Sequence, residues 1–245
     1  MRLSAAAIPR LFVSLYGGVA NGCRHLRRRG WYRACIDNAF SPANDLNSRF
    51  VRQDVDLILP YASAVGVDQP CNTWSTARRA PLWSSFPHRL RNREHLWGLP
   101  GLERRDLWHC KIGNSQARYS AKVIRYLVLH GIPGYLENPL ASLLWAAFDQ
   151  LLFDLISQGL ITFVVADLCQ YNRPYKKSTK LMLWGANRGK VSMKTCSGCN
   201  GRPDLCSRTG LPHVQMEGME HGEFRTRLAQ EYPYEFISHL LSQLV

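Results

Sequence analysis

Short apolar runs separated by glycine, proline and polar turns dominate this chain, and they predict strands alternating with helices. Leu11 to Tyr16 is apolar enough for a buried strand, and the turn Gly17-Gly18-Val19-Ala20-Asn21-Gly22 follows it directly. A basic helix is predicted from Cys23 to Arg29, closed by Gly30 in the C-cap position. Trp31 to Ile36 reads as a second strand ending at Asp37, and Ala62 to Val67 as a third leading into Asp68-Gln69-Pro70-Cys71. Gln116 to His130 has helical spacing, with Val123, Ile124, Leu127 and Val128 on one face, until Gly131-Ile132-Pro133-Gly134 breaks it. Tyr135-Leu136 opens a short strand that runs into Glu137-Asn138-Pro139. Leu140 to Gly159 then reads as a helix, Ile161 to Ala166 and Lys180 to Trp184 as strands, and Glu223 to Val245 largely as helix. The opening order of strand, glycine turn, helix, strand and acidic residue is that of a nucleotide-type α/β sheet.

Two segments break the alternation. Between Arg78 and Lys111 the periodicity dissolves, and arginines, among them Arg78, Arg79, Arg91 and Arg105, interleave with Trp83, Phe86, Trp97 and Trp108. A long aperiodic loop is functional or disordered, and the tryptophans speak against disorder. Two uses fit it. Arginines could neutralise phosphates while a tryptophan such as Trp97 stacks on an unpaired base, or the tryptophans could pack back onto the domain as a lid. The second segment holds Cys196-x2-Cys199-x6-Cys206-x6-His213, which suits a structural zinc knuckle of Cys3His type, or equally three reduced surface thiols. The organisation expected is a catalytic-type domain over 1–190 with a basic insertion at 78–112. A cysteine-rich segment over 191–222 and a C-terminal helix over 223–245, packing back on the domain, complete it.

Composition narrows the partners. With 46% hydrophobic and 20% charged residues over 245 positions, the chain is globular in type. No apolar run approaches the about 18–20 residues that span a bilayer, so no membrane partner is expected. Lys and Arg number 31 against 18 Asp and Glu, a net charge of +13 that favours a polyanion, nucleic acid before an anionic membrane surface. The eight cysteines are too unevenly spread for a small disulfide scaffold, which points to reduced thiols. Pro9 and Arg10 interrupt any secretory signal. The expectation is an intracellular monomer, nuclear or cytoplasmic and not secreted.

Several residues stand where chemistry is possible. Gly17, Gly18 and Gly22 let a ligand approach backbone amides at a helix N-terminus, or simply make a strand–helix connection. Asp37 at a strand end can accept hydrogen bonds from ribose hydroxyls, and Asp45 can meet an adenine amino group. Cys71 follows a strand in a rigid polar turn, where it serves as a nucleophile or as a small buried hydrophobe. Glu137 and Asn138 lie where open α/β sheets bind ligands, although Asn138-Pro139 is also a good helix start.

Taken in order, Tyr16-Gly17-Gly18, Gly22, Asp37, Asn44-Asp45-Leu46, Pro70-Cys71, Glu137-Asn138-Pro139 and Tyr171-Asn172-Arg173-Pro174-Tyr175-Lys176-Lys177 resemble the cytosine-C5 DNA methyltransferases. A weaker echo lies at Ala229-Gln230-Glu231-Tyr232-Pro233. The form is short, similar to those of viruses and mobile elements. Gln69 stands in place of the family's first proline, Pro139 replaces a valine, and the large target-recognition domain has no counterpart. The resemblance implies a three-layer, Rossmann-like class I methyltransferase sheet using S-adenosylmethionine. It implies Cys71 as the nucleophile on cytosine C6, Glu137 on the N3 edge, Asn138 ordering the local loop and Lys177 in the catalytic pocket. Tyr16, Gly17, Gly18, Gly22, Asp37, Asp45 and Pro70 would contact the cofactor. Arg78, Arg79, Trp97 and Lys176 would contact nucleic acid, with DNA placed ahead of RNA. A binding protein that retains the fold without turnover is the rival reading.

Overall fold

The computed structural model describes residues 9–18, 21–76, 88–216, 219–220, 223–224 and 232–245. Arg78, Arg79, Trp83, Phe86 and Ala229-Gln230-Glu231, singled out above, lie outside these residues. Six strands form one sheet: β1 (Leu11–Leu15), β2 (Tyr32–Ile36), β3 (Ala64–Asp68), β4 (Gly134–Pro139), β5 (Ile161–Asp167) and β6 (Ser178–Trp184). Their order across the sheet is β2-β1-β3-β4-β6-β5. The pairs β2–β1, β1–β3 and β3–β4 are parallel, whereas β6 runs antiparallel to both its neighbours.

Both faces of this sheet are covered, as a largely parallel sheet requires. Successive side chains of a strand point to opposite faces, and the burial follows that rule. Phe12 of β1, Tyr135 of β4 and Leu181 and Leu183 of β6 pack with helices α1 (Asn21–Arg27) and α6 (Tyr234–Leu244). Val13, Leu136, Met182 and Trp184 face the other way, toward α2 (Arg49–Ile58), α3 (Arg104–Leu129), α4 (Leu144–Leu151) and α5 (Phe153–Ser157). The result is the three-layer Rossmann-like α/β fold expected from the sequence.

The departures have local causes. Helix α2 is absent from the sequence reading, although Val51, Val55 and Ile58 recur at helical spacing and pack on the core. Helix α3 begins at Arg104, well before Gln116, so Trp108 sits exposed on a helix instead of in a loop. The helix expected over Leu140 to Gly159 is two, because Leu152 leaves helical geometry between α4 and α5. Asn138 and Pro139 belong to β4 and do not start that helix; Ser142 instead accepts the Leu144 N–H. At the C-terminus only Tyr234–Leu244 is helical, and Glu223–Phe224 pairs with Met219–Glu220 as a short antiparallel ladder. Cys23 of α1 and Cys35 of β2 are joined by a disulfide, which corrects the expectation of uniformly reduced thiols. These two elements pack directly on one another, bringing the two cysteines together.

Candidate active site

Sequence order along the sheet reverses at β1, since β2 lies to one side of it and β3 to the other. Ligands of open α/β sheets bind outside the carboxyl ends of the strands at such a point. Here those ends carry Tyr16-Gly17-Gly18 after β1, Asp37 after β2, Asp68-Gln69-Pro70-Cys71 after β3 and Glu137-Asn138 within the end of β4.

The glycine turn is shaped by its residues. Tyr16 and Gly18 adopt positive φ, 58° and 49°, and the Gly18 N–H donates to Asp37 Oδ2 at 3.0 Å. A Cβ on Gly17 would lie 2.2 Å from Ser14 Oγ and 3.7 Å from Asp68 Oδ2, so no side chain fits there. Asp68 Oδ1 is buried without a hydrogen-bond partner among the described residues. A bare turn beside an orphaned carboxylate oxygen and the Asp37 carboxylate suits a polar ligand carrying an amine and hydroxyls. Gly22 has another use. A Cβ there would meet the Phe12 ring at 3.0 Å, so this glycine lets α1 close onto β1. Asp45 is turned to its own loop, where Oδ1 accepts from the N–H and the amide of Asn47, each at 2.9 Å.

Cys71 is half-buried at the start of the loop after β3. Burial pushes its thiol above the ordinary range; the Lys177 ammonium opposes that shift and the Glu137 charge adds to it. Glu137 is buried beside Asp68, its register partner on β3. Burial pushes the Glu137 carboxyl up to about 7, against the pull of Lys177 and a hydrogen bond from Tyr232. Thr179 of β6 also donates to Glu137 Oε1. Asp68 is pushed up as well, first by burial and then by Glu137 and Asp37. Two neighbouring buried carboxyls facing one lysine cannot both ionise cheaply, so a proton is held here near neutral pH. Lys177 Nζ in turn donates to Tyr232 Oη at 3.0 Å. Asn138 fastens the two strand ends, donating to the Gln69 carbonyl at 2.7 Å.

The loop carrying Cys71 rests on a residue of the basic insertion, Arg91. Arg91 is 1% exposed, and its guanidinium lies 3.7 Å from the Trp74 ring centre. It donates to the carbonyls of Thr73, Leu96 and Cys110, to Thr73 Oγ1 and to Asn114 Oδ1. Burial lowers its pKa to about 10, which leaves it charged at neutral pH. Arg91→Met removes those donors from several buried acceptors, each worth about 1–3 kcal/mol when orphaned. Unfolding in urea is therefore expected to show a loss on the order of 3 kcal/mol. A variant as stable as the parent would show that Arg91 does not hold this loop.

Of the residues expected to touch nucleic acid, Trp97 packs edge-on against Trp74 with ring centres 6.0 Å apart, under the Arg118 guanidinium. Trp97 is half-buried in this packing and keeps part of its surface open to solvent. Lys176 is exposed but donates to the Cys196 carbonyl at 3.0 Å. The structure brings Cys196, Cys206 and His213 together with Cys169, while Cys199 stands outside the group. Asp68, Thr179, Tyr232 and Cys169 are the site residues without an assigned role in the sequence reading. Tyr232 lay in the weak echo ending at Pro233, and Asp68 in the segment leading to Cys71.

No protein-family model and no curated protein matches the sequence. Among solved structures, the chain is similar to the Entamoeba histolytica methyltransferase EhMeth at 12% identity, over 73% of this chain and 53% of that one, with a TM-score of 0.41. It is similar to the S. pombe Dnmt2 methyltransferase at 14% identity, over 71% and 50%, with a TM-score of 0.39. A protein described as a DNA modification methyltransferase encoded within an E. coli prophage aligns at 11% identity, over 85% and 53%, with a TM-score of 0.42. The chain spans about half the length of these proteins.

Proposed function

We propose that the chain is an S-adenosylmethionine-dependent methyltransferase acting on C5 of cytosine in nucleic acid, with DNA as the first substrate to test. The observation that carries the reading is the convergence of the bare glycine turn, Cys71 and the buried Glu137 at the carboxyl ends of three adjacent strands. When bound at the turn, S-adenosylmethionine supplies an electrophilic methyl group on a sulfonium. Gly17 and Gly18 would admit it, Asp37 would hold its ribose hydroxyls, and the Asp68 carboxyl would face its polar end.

The chain's own residues supply the rest. Cys71, as thiolate, adds to C6 of the pyrimidine, and its negative charge passes into the ring. Glu137, holding a proton near neutral pH, transfers it to N3 and so makes C5 nucleophilic. Lys177 favours both the Cys71 thiolate and ionised Glu137, and Tyr232 keeps that ammonium in place. After methylation a water molecule takes the C5 proton, the electron pair of that bond expels the Cys71 sulfur from C6 as thiolate, and the N3 proton returns to Glu137. The target base must leave the duplex stack to reach Cys71, or be presented single-stranded.

The test uses the full chain with S-adenosylmethionine and oligonucleotides carrying 5-fluorocytosine, as DNA and as RNA. Fluorine cannot leave as a proton does, so the expected outcome is a covalent complex whose peptide map ends at Cys71. An adduct with DNA alone, or with RNA alone, assigns the substrate. Cofactor binding with no adduct on either polymer leaves the non-catalytic binding protein as the correct reading.

A further inference from the structure

Apart from the crevice at the strand ends, the fold builds one further cluster of ligating side chains among the described residues. Cys169, Cys196, Cys206 and His213 offer three sulfurs and an imidazole nitrogen that all lie within 4.8 Å of one another. The three thiols are buried and unpaired, and they form a packing cluster of their own, separate from the two hydrophobic cores. Three buried thiols beside a half-buried imidazole, apart from any apolar core, fit a metal better than a packing role.

The distances agree with zinc. Zn–S of about 2.3 Å and Zn–N of about 2.0 Å at a tetrahedral angle put sulfur and nitrogen about 3.5 Å apart. Cys196 Sγ and His213 Nε2 are 3.6 Å apart. Donors outside the cluster point at the sulfurs as they do at zinc-bound thiolates. Ser207 N–H and Oγ lie 3.4 and 3.5 Å from Cys196 Sγ, and Gln170 Nε2 lies 3.7 Å from both Cys169 and Cys206 Sγ.

We propose that Cys169, Cys196, Cys206 and His213 bind one structural zinc ion that clamps residues 193–214 to the loop carrying Lys177. Cys169 comes from the short helical turn just after β5, far from the others in sequence, so the ion joins two parts of the chain instead of closing a local knuckle. The clamp has further fastenings. Cys196 N–H donates to Asp167 Oδ2 at 2.7 Å, Ser178 donates to the same carboxylate, and the Val214 N–H donates to the Pro174 carbonyl at 2.9 Å. The loop between Asp167 and Ser178 carries Lys176 and Lys177 and is thus held on both sides. Binding requires the thiols as thiolates and the imidazole neutral, so zinc uptake releases up to three thiol protons.

The site stands independently of the methyltransferase reading, because its readout is metal content. Elemental analysis of the full chain expressed with zinc is expected to give one zinc per chain. Cys169→Ser should lower it at least tenfold, and Cys199→Ser should leave it unchanged. Should Cys169→Ser fail to fold, the unaltered chain decides the matter through alkylation mapped by mass spectrometry. Cys169, Cys196 and Cys206 should resist iodoacetamide until a chelator is added, while Cys199 reacts throughout. Zinc lost with Cys199→Ser but kept with Cys169→Ser, no stoichiometric metal, or alkylation indifferent to chelator would each overturn the assignment.

Discussion

Cys71→Ala is expected to abolish methyl transfer from labelled S-adenosylmethionine while leaving the fold intact. Alanine cannot form the bond to C6, and no other group on the described strand ends can take that role. Loss of a nucleophile in an enzyme working through a covalent adduct costs on the order of 10⁴–10⁶ in rate. The fold should survive because Cys71 is half-buried, and the loop after it is held by Arg91 through Thr73 and Trp74. A second arm separates a nucleophile from a bystander. Burial raises the Cys71 pKa and Lys177 opposes it. The parent rate should therefore rise with pH as the thiolate forms and level off near pH 7, where Glu137 loses the proton it must transfer, and Lys177→Met, which removes the charge that lowers both groups, should move that break to higher pH. Full activity in Cys71→Ala, or a pH profile unmoved by Lys177→Met, would remove Cys71 from the chemistry.

The parts of this site legible from sequence are those that local pattern governs. Strand β1 announces itself as an apolar run ending in two glycines, and Gly30 closes α1 with φ of 79° as a C-cap should. Glu137 and Cys71 were legible because each follows or ends an apolar strand, where α/β sheets present chemistry. What could not be read depends on distant pairing. Cys169 joins its partners across a long stretch of chain, so no spacing motif contains it, whereas the nearby Cys199 fits a motif and lies outside the cluster. Tyr232 reaches Lys177 from just ahead of α6. Arg91 looked like one more surface arginine because nothing local distinguishes a guanidinium that folds its loop from one that meets phosphate. Helix α3 hid its first turns for a related reason. They face solvent and the Arg91 loop, so Leu107 and Trp108 are exposed and the apolar stripe is interrupted.

Glu137→Gln should trade activity for stability, and the pH dependence of that trade is fixed by its burial. The glutamine amide keeps the acceptor for Thr179 but has no proton to transfer to N3, and a positioned proton donor contributes about 10²–10⁴ to rate. Stability should move the opposite way. The Glu137 carboxyl rises from 4.5 to about 7 on folding, with burial as the main cause and Lys177 and Tyr232 working against it. Between those two values the folded state holds the proton more tightly than the unfolded chain, so stability falls as pH rises through that window. Above it the deficit is constant, on the order of 3 kcal/mol for a shift of this size. Glutamine carries no such deficit, and its neutrality also relieves Asp68, which Glu137 pushes up. Thermal melts should show Glu137→Gln more stable than the parent at pH 8, with the gap closing as the pH approaches 5. Equal melting at both pH values would mean that Glu137 is not the buried, proton-holding group, and catalysis by proton transfer to N3 would need another donor.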